Sequence, residues 1–269
     1  MQPHQQTTAI PALQLSDFSL DLLDPDLRKY VDWEGNYGPV FDHPLYRDPI
    51  MLMTAAIPAD YPAGSASPAG LGRINQIVDL KQRSLEKYKL RQDWRSYVFT
   101  FHRPYRVDAL LTVIRSVGAS RLWPLIGDVW RDSESNMPSR VEWAEIWSHA
   151  YGKQGGFRPE FYRVMSAKER RFYKALPETI TVYRGCFDAS DTMAYSWTLD
   201  REMAEWFARR KRSQENPVVA KMDVHKSNVL AYFAGRNESE VVIDFNFGGE
   251  DYEIEIIELP AENEAPVAA

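Results

Sequence analysis

Two carboxylates lie two residues apart where an apolar run begins late in the chain. Residues 236 to 242 read Arg-Asn-Glu-Ser-Glu-Val-Val, so Glu238 and Glu240 introduce a β-branched segment. In an extended strand, the side chains of residues i and i+2 point to the same face. The spacing therefore predicts a strand that turns both carboxylates toward one site and Ser239 away from it. Like charges held that close are unfavourable unless a cation or a reaction uses them.

Two further short motifs lie upstream of this acidic pair. Tyr183-Arg184-Gly185 ends an apolar run and supplies a cation, and Ser196-Trp197-Thr198 follows it. Strand alternation would again place Ser196 and Thr198 on one face. An arginine, a Ser-x-Thr and a Glu-x-Glu, in that order, are suited to binding and splitting a charged nucleotide glycoside.

The composition limits the classes of protein that need to be considered. Of the 269 residues, 44% are hydrophobic and 26% are charged, as in an ordinary globular protein. The net charge of −6 argues against a general nucleic-acid coat, although a local basic groove stays compatible with it. Cys186 is the only cysteine, which excludes an intrachain disulfide and a cysteine-rich metal site. We expect no metal cofactor.

The N-terminus carries no basic segment followed by an apolar stretch, and no run approaches the ~20 apolar residues that span a bilayer. We therefore expect a cytoplasmic protein without a membrane partner, or one delivered into a host cytoplasm without a cleaved signal peptide.

The pattern along the chain predicts four regions. Residues 1–70 form an N-terminal extension that is partly irregular, in which Leu22, Leu23, Leu27, Tyr30, Val31 and Trp33 could dock onto a core. Residues 71–176 form a helical region, residues 177–260 a β-rich core, and residues 261–269 a disordered tail.

Apolar spacing predicts individual helices in the second region. They cover about 73–97, 107–117, the segment around Trp143, Ile146 and Trp147, and 161–176. The stretch from Tyr97 to Phe101 reads equally as a short strand or a helix end.

The β-rich core is predicted to contain six strands and one prominent helix. The strands are 179–183, 193–198, 218–224, 229–233, 239–245 and 252–257, with Gly248-Gly249 as the turn between the last two. The helix starts at Asp200, with Met203, Trp206 and Phe207 as its buried stripe and cationic residues in its last turn.

The order of these motifs resembles the Arg-Ser-Glu class of mono-ADP-ribosyltransferases, the cholera-toxin-like enzymes. The resemblance covers about residues 179 to 258 and includes the Ala-Glu-Trp-Phe-Ala helix after Ser196-Trp197-Thr198. It implies an α+β fold in which a mostly helical N-terminal part precedes a core of two packed small β-sheets with one prominent helix. It also implies NAD⁺ as co-substrate and transfer of ADP-ribose to a macromolecule.

The same resemblance assigns roles to individual residues. Glu240 would stabilise the oxocarbenium-like state and bind the ribose, and Ser196 would hold Glu240 in position. Glu238 would orient or deprotonate the acceptor, and Arg184 would grip the pyrophosphate or ribose. The remaining cofactor-binding positions are expected to be Tyr183, Gly185, Trp197 and Thr198, with Gly185 permitting close approach of the backbone to the ligand.

Several alternatives stay open at this point. In the family, Glu-x-Glu accompanies arginine as acceptor, so a protein acceptor is favoured over RNA or DNA. Water as acceptor would make the chain an NAD glycohydrolase, and a binding module could retain the fold without chemistry.

As a transferase, the protein would serve as a bacterial or phage toxin, effector or defence factor. The helical part would then recognise the target, cover the site or bind a neutralising partner such as an antitoxin. Tyr232 and Phe233 are expected in the core, with stacking of one of them on nicotinamide or the acceptor as the alternative.

Overall fold

A computed structural model describes most of the chain between residues 20 and 260. The described ranges are 20–32, 40–46, 50–51, 68–133, 138–153, 156–186, 192–210, 217–235, 238–245 and 252–260. The chain divides into two compact units, Met1–Arg106 and Val107–Ala269. This boundary falls at the start of a helix and differs from the boundaries predicted at 70 and 176. The predicted Gly248-Gly249 turn, Trp33 and the tail from 261 lie outside the described residues.

The described residues of the first unit form two α-helices, short 3-10 helices and a small sheet. A 3-10 helix, Pro25–Tyr30, precedes the two-residue strands β1 (Val31–Asp32), β2 (Val40–Phe41) and β3 (Ile50–Met51), which pair antiparallel in that order. Helix α1 spans Pro68–Leu90 and α2 spans Trp94–Thr100, so the ambiguous stretch after Tyr97 is the end of a helix.

The core of the first unit joins the N-terminal segment to α1. Its buried members are Leu23, Leu27, Phe41, Leu71, Ile74 and Val78, with Tyr30 and Val31 packed against them. Asn75 strengthens this packing, since its Nδ2 donates to the Leu22 carbonyl oxygen at 2.9 Å and to Asp24 Oδ1 at 2.9 Å. The predicted docking is therefore confirmed for Leu23, Leu27, Tyr30 and Val31. Leu22 is 51% exposed and does not join this core.

The second unit begins with four helices. They are α3 (Arg106–Val117), α4 (Trp123–Asp132), α5 (Arg140–Ser148) and α6 (Ala167–Ala175), with a 3-10 helix at Pro159–Val164. The predicted helices at 107–117 and around Trp143 are confirmed. The predicted helix at 161–176 is instead divided, because Ser166 caps α6 in a reciprocal capping box with Glu169. The sequence interpretation missed α4 altogether.

The described strands of the second unit form one antiparallel sheet. In chain order they are β4 (Thr179–Cys186), β5 (Ser196–Thr198), β6 (Val218–His225), β7 (Val229–Phe233), β8 (Glu240–Ile243) and β9 (Glu255–Glu258). Their spatial order is β7-β8-β5-β4-β6-β9. The mixed content of helix and sheet is compatible with the α+β class. The last two strands, β8 and β9, do not pair with each other but lie at separate positions in the sheet.

This sheet consists of two three-stranded halves. One half is β7-β8-β5 and the other is β4-β6-β9. They join between β5 and β4, where Tyr183 and Thr198 are the one pair of residues in register. The predicted arrangement of two packed sheets is therefore replaced, among the described strands, by one sheet with a narrow seam. Arg184 and Ser196 lie just past that seam.

Helix α7 (Arg201–Arg209) packs on the sheet through small residues. A Cβ on Gly185 would lie 2.2 Å from the Ala204 carbonyl oxygen and 2.5 Å from the Ala208 nitrogen. Ala204 and Ala208 are fully buried, whereas Trp206 is 55% exposed. The predicted buried stripe of Met203, Trp206 and Phe207 is therefore wrong, since Trp206 is exposed and the other two are only partly buried. The fully buried positions are the two alanines, where the close approach of Gly185 leaves no space for a large side chain.

Helix α4 is held in an equally tight contact. A Cβ on Gly127 would lie 2.1 Å from the Val164 carbonyl oxygen in the 3-10 helix. This contact fixes α4 one turn before Trp130.

Among the described residues, none of the helices combines the length and the apolar character that a membrane span requires.

Candidate active site

Glu240 is a buried carboxylate at the first position of β8. Its side chain is 6% exposed. The register pairs Glu240 with Thr198 on β5 and Ser196 with Val242, so the side chains of all four residues point to one face of the sheet. A buried carboxylate requires hydrogen-bond donors, because an unpaired charge in the interior is costly.

The first donor is Ser196 on the neighbouring strand. Its Oγ donates to Glu240 Oε1 at 2.6 Å, a short bond of the charge-assisted kind. The contact expected between Ser196 and Glu240 is thus present. It spans 44 residues of sequence, which the antiparallel register of β5 and β8 brings together.

The second donor is Trp130, which the sequence interpretation did not find. Trp130 Nε1 donates to the same Glu240 Oε1 at 3.1 Å. Trp130 lies on α4 and is 1% exposed, with the rings of Trp143 at 4.7 Å, Trp147 at 5.2 Å and Phe233 at 6.4 Å. A tryptophan at a helical apolar position reads as core, and nothing local in the sequence connects it to a carboxylate 110 residues later.

Arg184 lies on the other side of Ser196. Its Nη1 donates to the Ser196 carbonyl oxygen at 2.7 Å. The side chain of an arginine thus bridges the seam where the backbone ladder between β4 and β5 stops. Ser196 therefore contacts the Arg184 guanidinium through its main chain and the Glu240 carboxylate through its hydroxyl. These three residues are three of the four that were predicted to act in catalysis.

Glu238 is close in sequence but is not on the strand. Strand β8 begins at Glu240, and Ser239 has φ 44°, a left-handed conformation that is uncommon for a residue other than glycine. The prediction that alternation along one strand turns Glu238 and Glu240 to the same face is therefore wrong. Glu238 is half-buried in the loop that enters β8.

Thr198 holds that loop in place. Its Oγ1 donates to the Glu238 carbonyl oxygen at 2.5 Å and accepts from the Asp200 nitrogen at 3.0 Å. Asp200 in turn caps α7, accepting from the nitrogens of Glu202 and Met203. Thr198 was predicted to line the nucleotide pocket, but the contacts of its buried hydroxyl instead join the acidic loop to the start of α7.

A second anchor holds the same loop where it leaves β7. Glu169 Oε1 accepts from the Ala234 nitrogen at 3.1 Å, and Glu169 Oε2 accepts from the Ser166 nitrogen at 2.7 Å. Burial raises the pKa of the Glu169 carboxyl, but these hydrogen bonds, with the Arg131 charge, hold the pKa below its ordinary value. Phe233, one residue before Ala234, stacks on Trp130, so the loop is fixed at both ends.

The remaining predicted cofactor-binding residues lie outside this cluster. Trp197 is 2% exposed on the opposite face of β5, and its Nε1 donates to the Ala194 carbonyl oxygen at 2.8 Å, so it is a core residue. Tyr183 packs against the cluster formed by Ala204, Ala208, Val219 and Leu259. Gly185 makes room for α7, which gives it a packing role in place of the predicted approach to a ligand.

The two aromatic residues at the end of β7 lie in the core, as the sequence predicted. Tyr232 and Phe233 are 6% and 1% exposed, as expected for core residues, and Cys186 is fully buried.

Comparisons with known proteins return no match. No family model matches the chain, and neither a curated protein nor a solved structure is significantly similar to it. The geometry around Glu240 is therefore the basis on which a function can be assigned.

Proposed function

We propose that the protein is an NAD-dependent mono-ADP-ribosyltransferase that transfers ADP-ribose to a macromolecular acceptor, with protein arginine as the expected acceptor. The observation that carries the proposal is the arrangement around Ser196. Its hydroxyl donates to a buried carboxylate, Glu240, and its carbonyl oxygen accepts from the Arg184 guanidinium. Ser196 thus contacts both a fixed anion and a fixed cation. This pair of charges suits a substrate that carries both a cationic glycoside and a pyrophosphate.

The proposed chemistry breaks the bond between ribose C1′ and the nicotinamide nitrogen of NAD⁺. The electron pair of that bond goes to the nitrogen, which neutralises the pyridinium, and positive charge develops on the ribose. Glu240 stabilises this charge. Because Ser196 and Trp130 already hold its carboxylate, little reorganisation is needed as the charge forms.

The acceptor nucleophile then forms a bond to C1′ and gives up a proton. In this proposal Glu238 receives that proton or orients the guanidinium of an acceptor arginine. Its place in a loop anchored by Thr198 and Glu169 supports the role, since the loop positions Glu238 without burying it completely. Arg184 binds the pyrophosphate or ribose through its planar fork of donors.

Labelled NAD⁺ identifies the acceptor. The full-length protein is incubated with NAD⁺ labelled in the adenylate part and with a cell lysate, and the products are then treated with protease or nuclease. Protease-sensitive label supports a protein acceptor, and nuclease-sensitive label would replace it with a nucleic acid. Free nicotinamide without labelled macromolecule would instead favour NAD glycohydrolase activity.

Three variants test the residue roles in the same assay. Glu240→Gln is expected to abolish both transfer and nicotinamide release. Glu238→Gln is expected to abolish transfer while some hydrolysis persists. Glu258→Gln, an exposed glutamate on β9 of the same sheet, is the matched control and is expected to behave as wild type. Unchanged activity in both site variants would overturn the assignment.

A further inference from the structure

Trp130 and Trp123 are two tryptophans of the same helix in similar surroundings but with different hydrogen bonding. Both lie on α4 and are at most 1% exposed. Trp123 Nε1 has no hydrogen-bond partner among the described residues, and its ring packs edge-on against Phe161 at 4.9 Å. Trp130 Nε1 donates to Glu240 at 3.1 Å. Burial of the indole therefore does not by itself account for the contact with the carboxylate.

The ring of Trp130 is also held firmly in place. Trp143 and Trp147 from α5 and Phe233 from β7 surround it, and Gly127 brings α4 against the 3-10 helix one turn earlier. A donor fixed in this way constrains the carboxylate that accepts from it. The Ser196 hydroxyl and the Trp130 indole N–H donate to the same oxygen of Glu240, so together they set the orientation of the carboxylate from two directions.

We propose that Trp130 is a positioning residue for Glu240, so that helix α4 is part of the catalytic unit although it lies outside the motifs that carry the family resemblance. This inference rests on the proposed function for its catalytic meaning. Its physical content, a tryptophan N–H that orients and stabilises the Glu240 carboxylate, does not depend on which substrate the site takes.

The test replaces Trp130 in the full-length protein in two ways. Trp130→Phe removes the N–H and part of the ring. Benzothienylalanine incorporated at position 130 removes the N–H and keeps the shape of the indole, which maintains the test if Trp130→Phe fails to fold. Trp123→Phe is the matched control, because it makes the same change at an equally buried position of the same helix.

Two readouts distinguish positioning from packing. In NAD⁺ turnover, both replacements at 130 are expected to lower kcat about tenfold with KM unchanged, and to move the acid limb of the pH profile upward. In ¹³C NMR of labelled glutamate, with the Glu240 signal assigned from Glu240→Gln, the pH midpoint of that signal is expected to rise, because a donor to the charged form is lost. The charged side chains on the neighbouring elements are unchanged in every variant, so none of them accounts for a difference between variants: Arg184, Arg131, Glu169, Glu238, Asp128, Asp132 and Asp244.

The outcomes separate the two proposals. A shifted Glu240 midpoint without NAD⁺ turnover in the wild type would support the positioning contact and overturn the proposed function. Turnover in the wild type with neither rate nor midpoint changed by benzothienylalanine would overturn the positioning role and leave the function standing. Equal effects from Trp123→Phe would show that α4 acts through packing alone, which also overturns the inference.

Discussion

Both units of the protein contain a buried ionisable side chain beside aromatic rings, His43 in the first unit and Glu240 in the second, and the two are satisfied in different ways. In the first unit His43 is 5% exposed, stacks on Phe41 and contacts the edge of Tyr30. Its Nδ1 accepts from the Leu45 nitrogen at 3.1 Å, two residues away. In the second unit Glu240 is 6% exposed and accepts from donors that lie 44 and 110 residues earlier in the chain.

The difference indicates which of the two is a site. The hydrogen bond of His43 comes from its own turn, so local structure explains it. His43 stays neutral because burial, followed by the charges of Lys29 and Lys81, lowers its pKa to about 4. Glu240 is a carboxylate that two separate elements, β5 and α4, hold through one of its oxygens. Such preorganisation is costly to build and is typical of sites where charge develops during a reaction.

A substitution that displaces α4 should have the largest effect, because this helix supports Glu240 and has no counterpart around His43 among the described residues. Gly127→Ala places a Cβ 2.1 Å from the Val164 carbonyl oxygen, so the helix or the 3-10 segment must shift. We expect a loss of about 2 to 3 kcal/mol in the free energy of unfolding, measured by chemical denaturation. Because the shift also moves Trp130, activity per folded molecule should fall as well.

The matched control makes the same substitution in the first unit. Gly72 lies in α1 with nothing within 4 Å of an added Cβ, so Gly72→Ala should be neutral or stabilise by up to about 1 kcal/mol. Equal stability changes for the two alanine variants would contradict the close packing of α4.

Removing the Arg184 guanidinium should weaken NAD⁺ binding more than it destabilises the fold. Arg184→Ala loses the contact with the Ser196 carbonyl oxygen and the proposed grip on the pyrophosphate. We expect NAD⁺ binding to weaken by about 1.5 to 3 kcal/mol, measured by calorimetry with Glu240→Gln as the background to prevent turnover. Arg184→Lys should recover only part of this loss, because lysine lacks the planar fork. Full recovery by lysine would show that charge alone suffices.

The smallest effect concerns the pH dependence of His43. Below pH 6.5 the unfolded chain binds a proton at this residue that the folded chain binds only near pH 4, so stability falls as the pH decreases through this window. We expect His43 to contribute about 1 kcal/mol of the loss between pH 7 and pH 5, after discounting for solvent screening. Denaturation of His43→Gln at both pH values should show a shallower dependence than the wild type. An unchanged slope would contradict the neutral, buried state of His43.

Much of the sheet could be predicted because its strands carry strong local signals. The β-branched runs fixed β4, β6 and β7, and Asp200 fixed the start of α7 through its cap. The buried face of α7 could not be read from its large side chains. The decisive residue is Gly185 on β4, because its missing side chain lets Ala204 and Ala208 of α7 pack against the strand. Trp206 of the same helix stays exposed.

The site shows the same division between local and long-range information. Spacing and family resemblance selected Arg184, Ser196 and Glu240, which the structure brings together. The relation between Glu238 and Glu240 was wrong, since a left-handed Ser239 breaks the alternation that an extended strand would impose. Trp130 was missed because its helix was missed, and Pro124 at the start of that helix reads as an interruption unless it is placed in the first turn.

The most direct test of the central claim measures nicotinamide release from NAD⁺ by the purified full-length protein, its Glu240→Gln variant and its Glu258→Gln control. We predict release by the wild type and the control, and a rate at least about 100-fold lower for Glu240→Gln with an unchanged unfolding transition. Equal rates in all three proteins, or no release by the wild type in the presence of lysate, would contradict the assignment of Glu240 as the residue that drives cleavage of NAD⁺.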